Sequence, residues 1–163
     1  MSEPVIRRAD DGHEGDLTAI TRLRREWTRE QEGEFGDPAF DERLAAWFAQ
    51  ESERRIVWLA EVDGRPVGMM NLAVFERMPR PGRPTSRWGY LGNAFVLSAY
   101  RNRGIGARLI NTVLHYADGN GFVRVLLSPT CRSVPFYERA GFGPASALML
   151  RTPPDATHGA LGP

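Results

Sequence analysis

The stretch Phe95-Val96-Leu97-Ser98-Ala99-Tyr100-Arg101-Asn102-Arg103-Gly104-Ile105-Gly106-Ala107 constrains this chain more than any other. An apolar run with strand character enters a short basic turn that carries two glycines. The turn opens a helix with Ile105, Leu109, Ile110, Val113, Leu114 and Ala117 along one side. The first amides of such a helix have no acceptor within it and point outward, so they receive an anion. Gly104 and Gly106 remove side chains that would hold an anion off the backbone, and Arg101 and Arg103 add positive charge beside it. Several convergent amides flanked by guanidinium groups suit a diphosphate. The turn is not a Walker A loop, because Lys-Ser/Thr does not follow the second glycine. It also lacks the Gly-x-Gly-x-x-Gly of dinucleotide-binding turns.

The rest of the chain supplies the sheet and helices that such a turn requires. Val5 to Arg8 reads as a strand broken by Asp10, Asp11 and Gly12. A helix is predicted from Asp16, its N-cap, with Leu17, Ile20, Leu23, Arg24 and Trp27 near one face. Asp37-Pro38 signals a second helix bearing Phe40, Leu44, Trp47 and Phe48. Ile56 to Ala60, the turn Asp63-Gly64 and Arg65 to Phe75 form a hairpin pattern. Three prolines in residues 76–87 argue against a strand there, and Trp88 to Leu97 is the next strand. The helix after Gly104 ends near Gly119. Phe122 to Leu127, a short helix capped by Ser133 and ended by Gly141, and a last strand from Ala147 to Arg151 follow. This order predicts an α/β sheet domain with mixed strand directions.

Size and charge narrow the function classes. The 163 residues suit one domain, expected over 3–152, with a flexible tail over 153–163. A net charge of +1 gives no electrostatic case for nucleic acid. The single cysteine, Cys131, rules out an internal disulfide and a multi-cysteine zinc site, and His13, His115 and His158 show no metal-ligand spacing, so no metal is expected. No apolar run reaches the roughly 20 residues of a membrane span. The first residues lack the basic-then-apolar order of a signal peptide, so a cytoplasmic protein is the expectation.

With these residues in view, the chain resembles the Gcn5-related N-acetyltransferase (GNAT) family. The family signature Arg/Gln-x-x-Gly-x-Gly/Ala reads here Arg101-Asn102-Arg103-Gly104-Ile105-Gly106. A second landmark, Tyr-Glu-x-x-Gly-Phe, reads Tyr137-Glu138-Arg139-Ala140-Gly141-Phe142. The resemblance covers roughly Val5 to Arg151. It implies the GNAT-type acyl-CoA N-acyltransferase fold: a mixed, mostly antiparallel sheet flanked by helices, with splayed fourth and fifth strands. It implies acetyl-CoA as cosubstrate, with the pantetheine arm against the backbone of Phe95, Val96 and Leu97. The pyrophosphate would rest on the amides of Arg101, Asn102, Arg103, Gly104, Ile105, Gly106 and Ala107. The side chains of Arg101 and Arg103 face either solvent or the adenosine phosphate. Tyr137 resembles the family's general acid, and a backbone amide, that of Val96, would polarise the acetyl carbonyl. Attack by the amine is direct, without an acyl-enzyme on Cys131.

Two departures accompany the match. Asn93 stands where relatives often carry an acid, so no base is evident, and Glu34, Asp37 and Glu61 are candidates by default. Thr130 stands where many relatives have asparagine. Trp27, Glu30, Glu32, Glu34, Phe35 and Asp37 fall in the region that sets acceptor choice in the family, and they suit a cationic amine. A small-molecule acceptor is expected over a protein one, and a monomer or homodimer fits equally. The alternative function is a non-catalytic acyl-CoA sensor.

Overall fold

The computed structural model describes residues 2–9, 14–34 and 36–154. The expectations for Asp10 to His13, Phe35 and the tail beyond residue 154 lie outside them. Five strands form one sheet whose spatial order follows the chain. β1 (Val5–Arg8), β2 (Arg55–Val62), β3 (Arg65–Glu76) and β4 (Arg87–Val96) pair antiparallel in turn. β5 (Phe122–Leu126) joins β4 in parallel. The crossover to β5 carries α3 (Ile105–Gly119). α1 (Glu14–Glu32) and α2 (Phe40–Glu51) lie between β1 and β2, and α4 (Val134–Arg139) follows β5.

Strand alternation explains the two layers of core. On β2 and β3 successive side chains point to opposite faces. Val57, Leu59 and Met69 meet Ile20, Leu23 and Trp27 of α1 on one face. Trp58, Ala60, Met70 and Leu72 meet Leu109, Ile110 and Val113 of α3 on the other. Both faces of the central hairpin are therefore buried, which is why β3 reads as a nearly unbroken apolar run. Asp63 and Gly64, with φ of 50° and 72°, make the tight turn that joins β2 to β3.

Three sequence expectations are corrected. Asp16 is not the cap of α1: the helix starts at Glu14, and Asp16 is buried within the first turn. Its carboxylate is instead drawn to β1, where Arg7 grips it with Nη1 at 2.8 Å and Nη2 at 2.6 Å. Arg7 also holds Glu61 of β2 at 2.7 Å, and these hydrogen bonds push its already high pKa further up. The second correction concerns α2, whose cap position is Ala39, with no side-chain hydrogen bond. The Asp37 carboxylate faces Arg43 at 2.6 Å, a pairing that lowers its pKa. Finally, residues 147–151 form no strand. Met149 and Leu150 project outward, so the alternation there finds neither a ladder nor a surface to bury against.

Candidate active site

β4 is the strand on which the site is built, because it loses its outer neighbour part-way along. Its pairing with β5 runs from Arg87 opposite Phe122 to Tyr90 opposite Leu126, while β4 itself continues to Val96. The Tyr90 hydroxyl donates to Ser128 Oγ at 2.9 Å where the pairing stops. Beyond that bond the strands part. The cause on the β4 side is an irregularity between its pairs with Met69 and Asn71. Asn93 sits there with φ of 52°, a left-handed conformation unusual for a strand.

The open edge exposes particular backbone groups. Leu97 turns its amide to β3, donating to the Val67 carbonyl at 2.9 Å. Amides alternate in direction along a strand. Phe95 therefore faces β3 as well, and Val96 directs its amide into the gap. Of the three residues expected as backbone partners, Val96 has the amide available on that edge.

Below the gap lies the start of α3. Gly104 precedes the helix with φ of 76°, a conformation that costs a residue with Cβ about 1–2 kcal/mol. The helix's first paired amide is that of Arg108, bonded to the Gly104 carbonyl at 3.0 Å. The amides of Ile105, Gly106 and Ala107 thus precede the helical ladder, and their residues line a cavity of about 600 Å³. A Cβ on Gly106 would come within 3.3 Å of the Phe136 ring, so the helix start and α4 approach closely across this cavity. Amides at a helix start that precede its ladder are groups that receive an anion.

The two arginines of the turn behave differently from its amides. Arg101 reaches back to β4 and α1: its Nε donates to the Val96 carbonyl at 2.8 Å and its Nη2 to Glu30 Oε2 at 2.5 Å. Arg103 lies over the Tyr100 ring. Of the basic side chains, Arg101, Arg132 and Arg139 border the α3 cavity. Arg139 was not singled out by sequence, because a basic residue ending a short helix carries no distinctive signal.

Tyr137 closes the site from α4. It borders both the α3 cavity and a second cavity of about 610 Å³ on the opposite side of the β4 edge. Ala94, Phe95 and Val96 border both as well. Phe136 and Phe142 meet the Tyr137 ring edge-on, at 5.0 and 5.9 Å. Burial, aided by Tyr90, raises the phenol above its usual pKa, so it holds its proton. Thr130 is bonded to Ser133 at 3.1 Å, and Ser133 Oγ donates to the Thr130 carbonyl rather than capping α4.

Two of the acids expected to receive a cation are engaged by arginines: Glu30 holds Arg101 and Asp37 holds Arg43. Among the described residues, no cluster of His, Cys, Asp or Glu is arranged to hold a metal, and no helix is long and apolar enough to cross a membrane.

A model of the acetyltransferase (GNAT) family matches residues 20–142. A glucosamine 6-phosphate N-acetyltransferase from Trypanosoma brucei brucei is 31% identical over 86 residues, 53% of this chain and 56% of that protein. The chain thus matches about half the length of that curated relative. Among solved structures, a "predicted acetyltransferase with acetyl-CoA" from Clostridium acetobutylicum aligns with a TM-score of 0.71 at 19% identity, over 92% of this chain and 96% of that one. A GCN5-related N-acetyltransferase from Ralstonia eutropha JMP134 gives 0.69 at 25% identity, over 93% and 98%.

Proposed function

This chain belongs to the GNAT family of acetyltransferases, and we propose that it transfers an acetyl group from acetyl-CoA to a primary amine on a small molecule. The observation that carries the reading is the parted edge of β4, with the Val96 amide on one side, Tyr137 beside it and the α3 helix start beneath. The amides of Ile105, Gly106 and Ala107 would hold the pyrophosphate, and the open β4 edge would pair with the amide-bearing pantetheine arm. Acetyl-CoA supplies the activated acyl group as a thioester. The Val96 amide polarises the acetyl carbonyl and stabilises the oxyanion that forms as the neutral amine attacks. As the N–C bond forms and the C–S bond breaks, Tyr137 gives its proton to the departing sulfur. The amine's surplus proton leaves to water, which restores the tyrosine. Residues 3–152 would act together as the catalytic domain.

Thiol release from acetyl-CoA across a panel of primary amines tests the reading. Amine-dependent release with one acetylamide formed per thiol is the expected result. Coenzyme binding without release from any amine would leave a non-catalytic acyl-CoA-binding module instead. The helix start has its own test. Gly104→Val forces a β-branched residue into left-handed backbone, at a cost of about 1–3 kcal/mol. Part of that strain is relieved by distorting the turn. Acetyl-CoA affinity, measured by titration calorimetry, is therefore expected to fall about tenfold, equal to about 1.4 kcal/mol. An unchanged affinity would remove the turn from the coenzyme site.

A further inference from the structure

We propose that the acceptor is a carboxylated amine with an aryl or branched-alkyl body, the chemistry of a hydrophobic amino acid, seated between α1 and α2. The proposal rests on the acetyl-transfer reading and specifies its substrate. A third cavity of about 170 Å³ lies between these helices and the sheet, walled by Phe40, Leu44, Trp47 and Phe48 of α2. An engineered apolar cavity of about 150 Å³ binds benzene, so this one accommodates a single ring or a branched alkyl group. α2 buries none of its residues, and its apolar side looks onto this space.

The polar groups at the cavity wall have a defined polarity. Arg55 can only donate, and its Nη1 donates to Asn71 Oδ1 at 3.1 Å. Asn71 must then donate through Nδ2, which it does to Asn93 Oδ1 at 2.6 Å. That leaves the Asn93 Nδ2 group as the donor that Asn93 offers. Asn93 borders this cavity and also the one beside Val96 and Tyr137, so it stands between body and reaction centre. Arg24 is the charged residue on the cavity wall. It lies over the Trp27 ring at 4.5 Å, and Glu32, the carboxylate whose charge acts on it, does not border this cavity.

A cationic residue and an amide donor on the wall of an apolar space complement a carboxylate on an apolar body. A polyamine would bring positive charge against Arg24 and meet no carboxylate on this wall. The same donor set explains why an acid is absent at Asn93. A negative charge there would repel the substrate's own.

Thiol release from acetyl-CoA with L-phenylalanine, L-leucine, phenethylamine and spermidine tests this. The expected kcat/KM for L-phenylalanine exceeds that for phenethylamine, the same body without its carboxylate, and that for spermidine by at least about tenfold. Arg24→Gln is expected to shrink the phenylalanine-to-phenethylamine ratio about tenfold through the KM of phenylalanine. Asn93→Asp replaces the donor by a like charge and is expected to lower the same ratio, a second route should Arg24→Gln not fold. Spermidine or phenethylamine used as well as phenylalanine by the wild-type chain overturns the proposal and leaves acetyl transfer standing. No release with any of the four, nor across the wider amine panel, overturns both.

Discussion

Tyr137→Phe is expected to lower kcat by about 100- to 1,000-fold, within the range that general acid catalysis contributes. At about 1.4 kcal/mol for each factor of ten, the loss is about 3–4 kcal/mol of transition-state stabilisation. The ring of phenylalanine keeps the edge-on packing against Phe136 and Phe142, so the fold and the coenzyme site survive. What is removed is the proton donor at the junction of the two cavities. The direction of the Tyr137 pKa shift sharpens the expectation. A raised pKa favours the neutral phenol, so the acid stays loaded through neutral pH and up to the usual phenol range. The alkaline fall in kcat should therefore lie above that range in the wild type and vanish in the variant. Steady-state thiol release against pH, with acetyl-CoA affinity measured separately, checks both parts. A kcat within twofold of wild type would show that the leaving sulfur takes its proton elsewhere.

The second large effect is on stability. Arg7→Ala removes the bidentate partner of Asp16, which is 3% exposed, and breaks the link to Glu61 on β2. Arg7 keeps 35% of its side chain exposed, so the cost is set by the lost charge-assisted hydrogen bonds to the buried carboxylate, about 1–3 kcal/mol, below that of breaking a fully buried pair. A domain has only about 5–15 kcal/mol in total, so the loss is visible as a lower urea midpoint. Arg7→Lys keeps the charge but cannot make the planar two-pronged contact, so an intermediate loss is expected. A midpoint unchanged in Arg7→Ala would mean that Asp16 is stabilised from elsewhere. The tie joins the first strand, the first helix and β2, far from Tyr137 in sequence and with no place in either cavity that Tyr137 borders.

The strand–turn–helix at Phe95 to Ala107 was the most legible feature because its pattern is local. Apolar run, glycine at a left-handed position and amphipathic helix all lie within a few residues of each other. The hairpin at Asp63-Gly64 was legible for the same reason. The parting of β4 from β5 came through family resemblance and not from residue pattern, since pairing between distant segments leaves no local mark. Asp16 and Asp37 misled because a capping acid and an ion-paired acid look identical until their arginine is found. Arg7 lies nine residues before Asp16 and Arg43 six after Asp37. Ala147 to Arg151 misled because alternation describes a strand only where a neighbour exists. The α1–α2 cavity was hidden since Phe40, Leu44, Trp47 and Phe48 read as an ordinary core-facing side. Asn71 carried a faint signal, a lone amide inside the apolar run Met69-Met70-Asn71-Leu72.

An unpaired strand edge is ordinarily a hazard, because its bare amides and carbonyls invite another polypeptide to add on and start an aggregate. In this chain the unpaired length of β4 belongs to an inner strand and runs past the end of β5, with residues of α3 and α4 bordering the opening. A second polypeptide would have to thread past those helices to reach it. The opening therefore discriminates by girth: it admits a slender linear molecule and shuts out a folded neighbour, so the same defect that would endanger an outer strand is made safe by being enclosed.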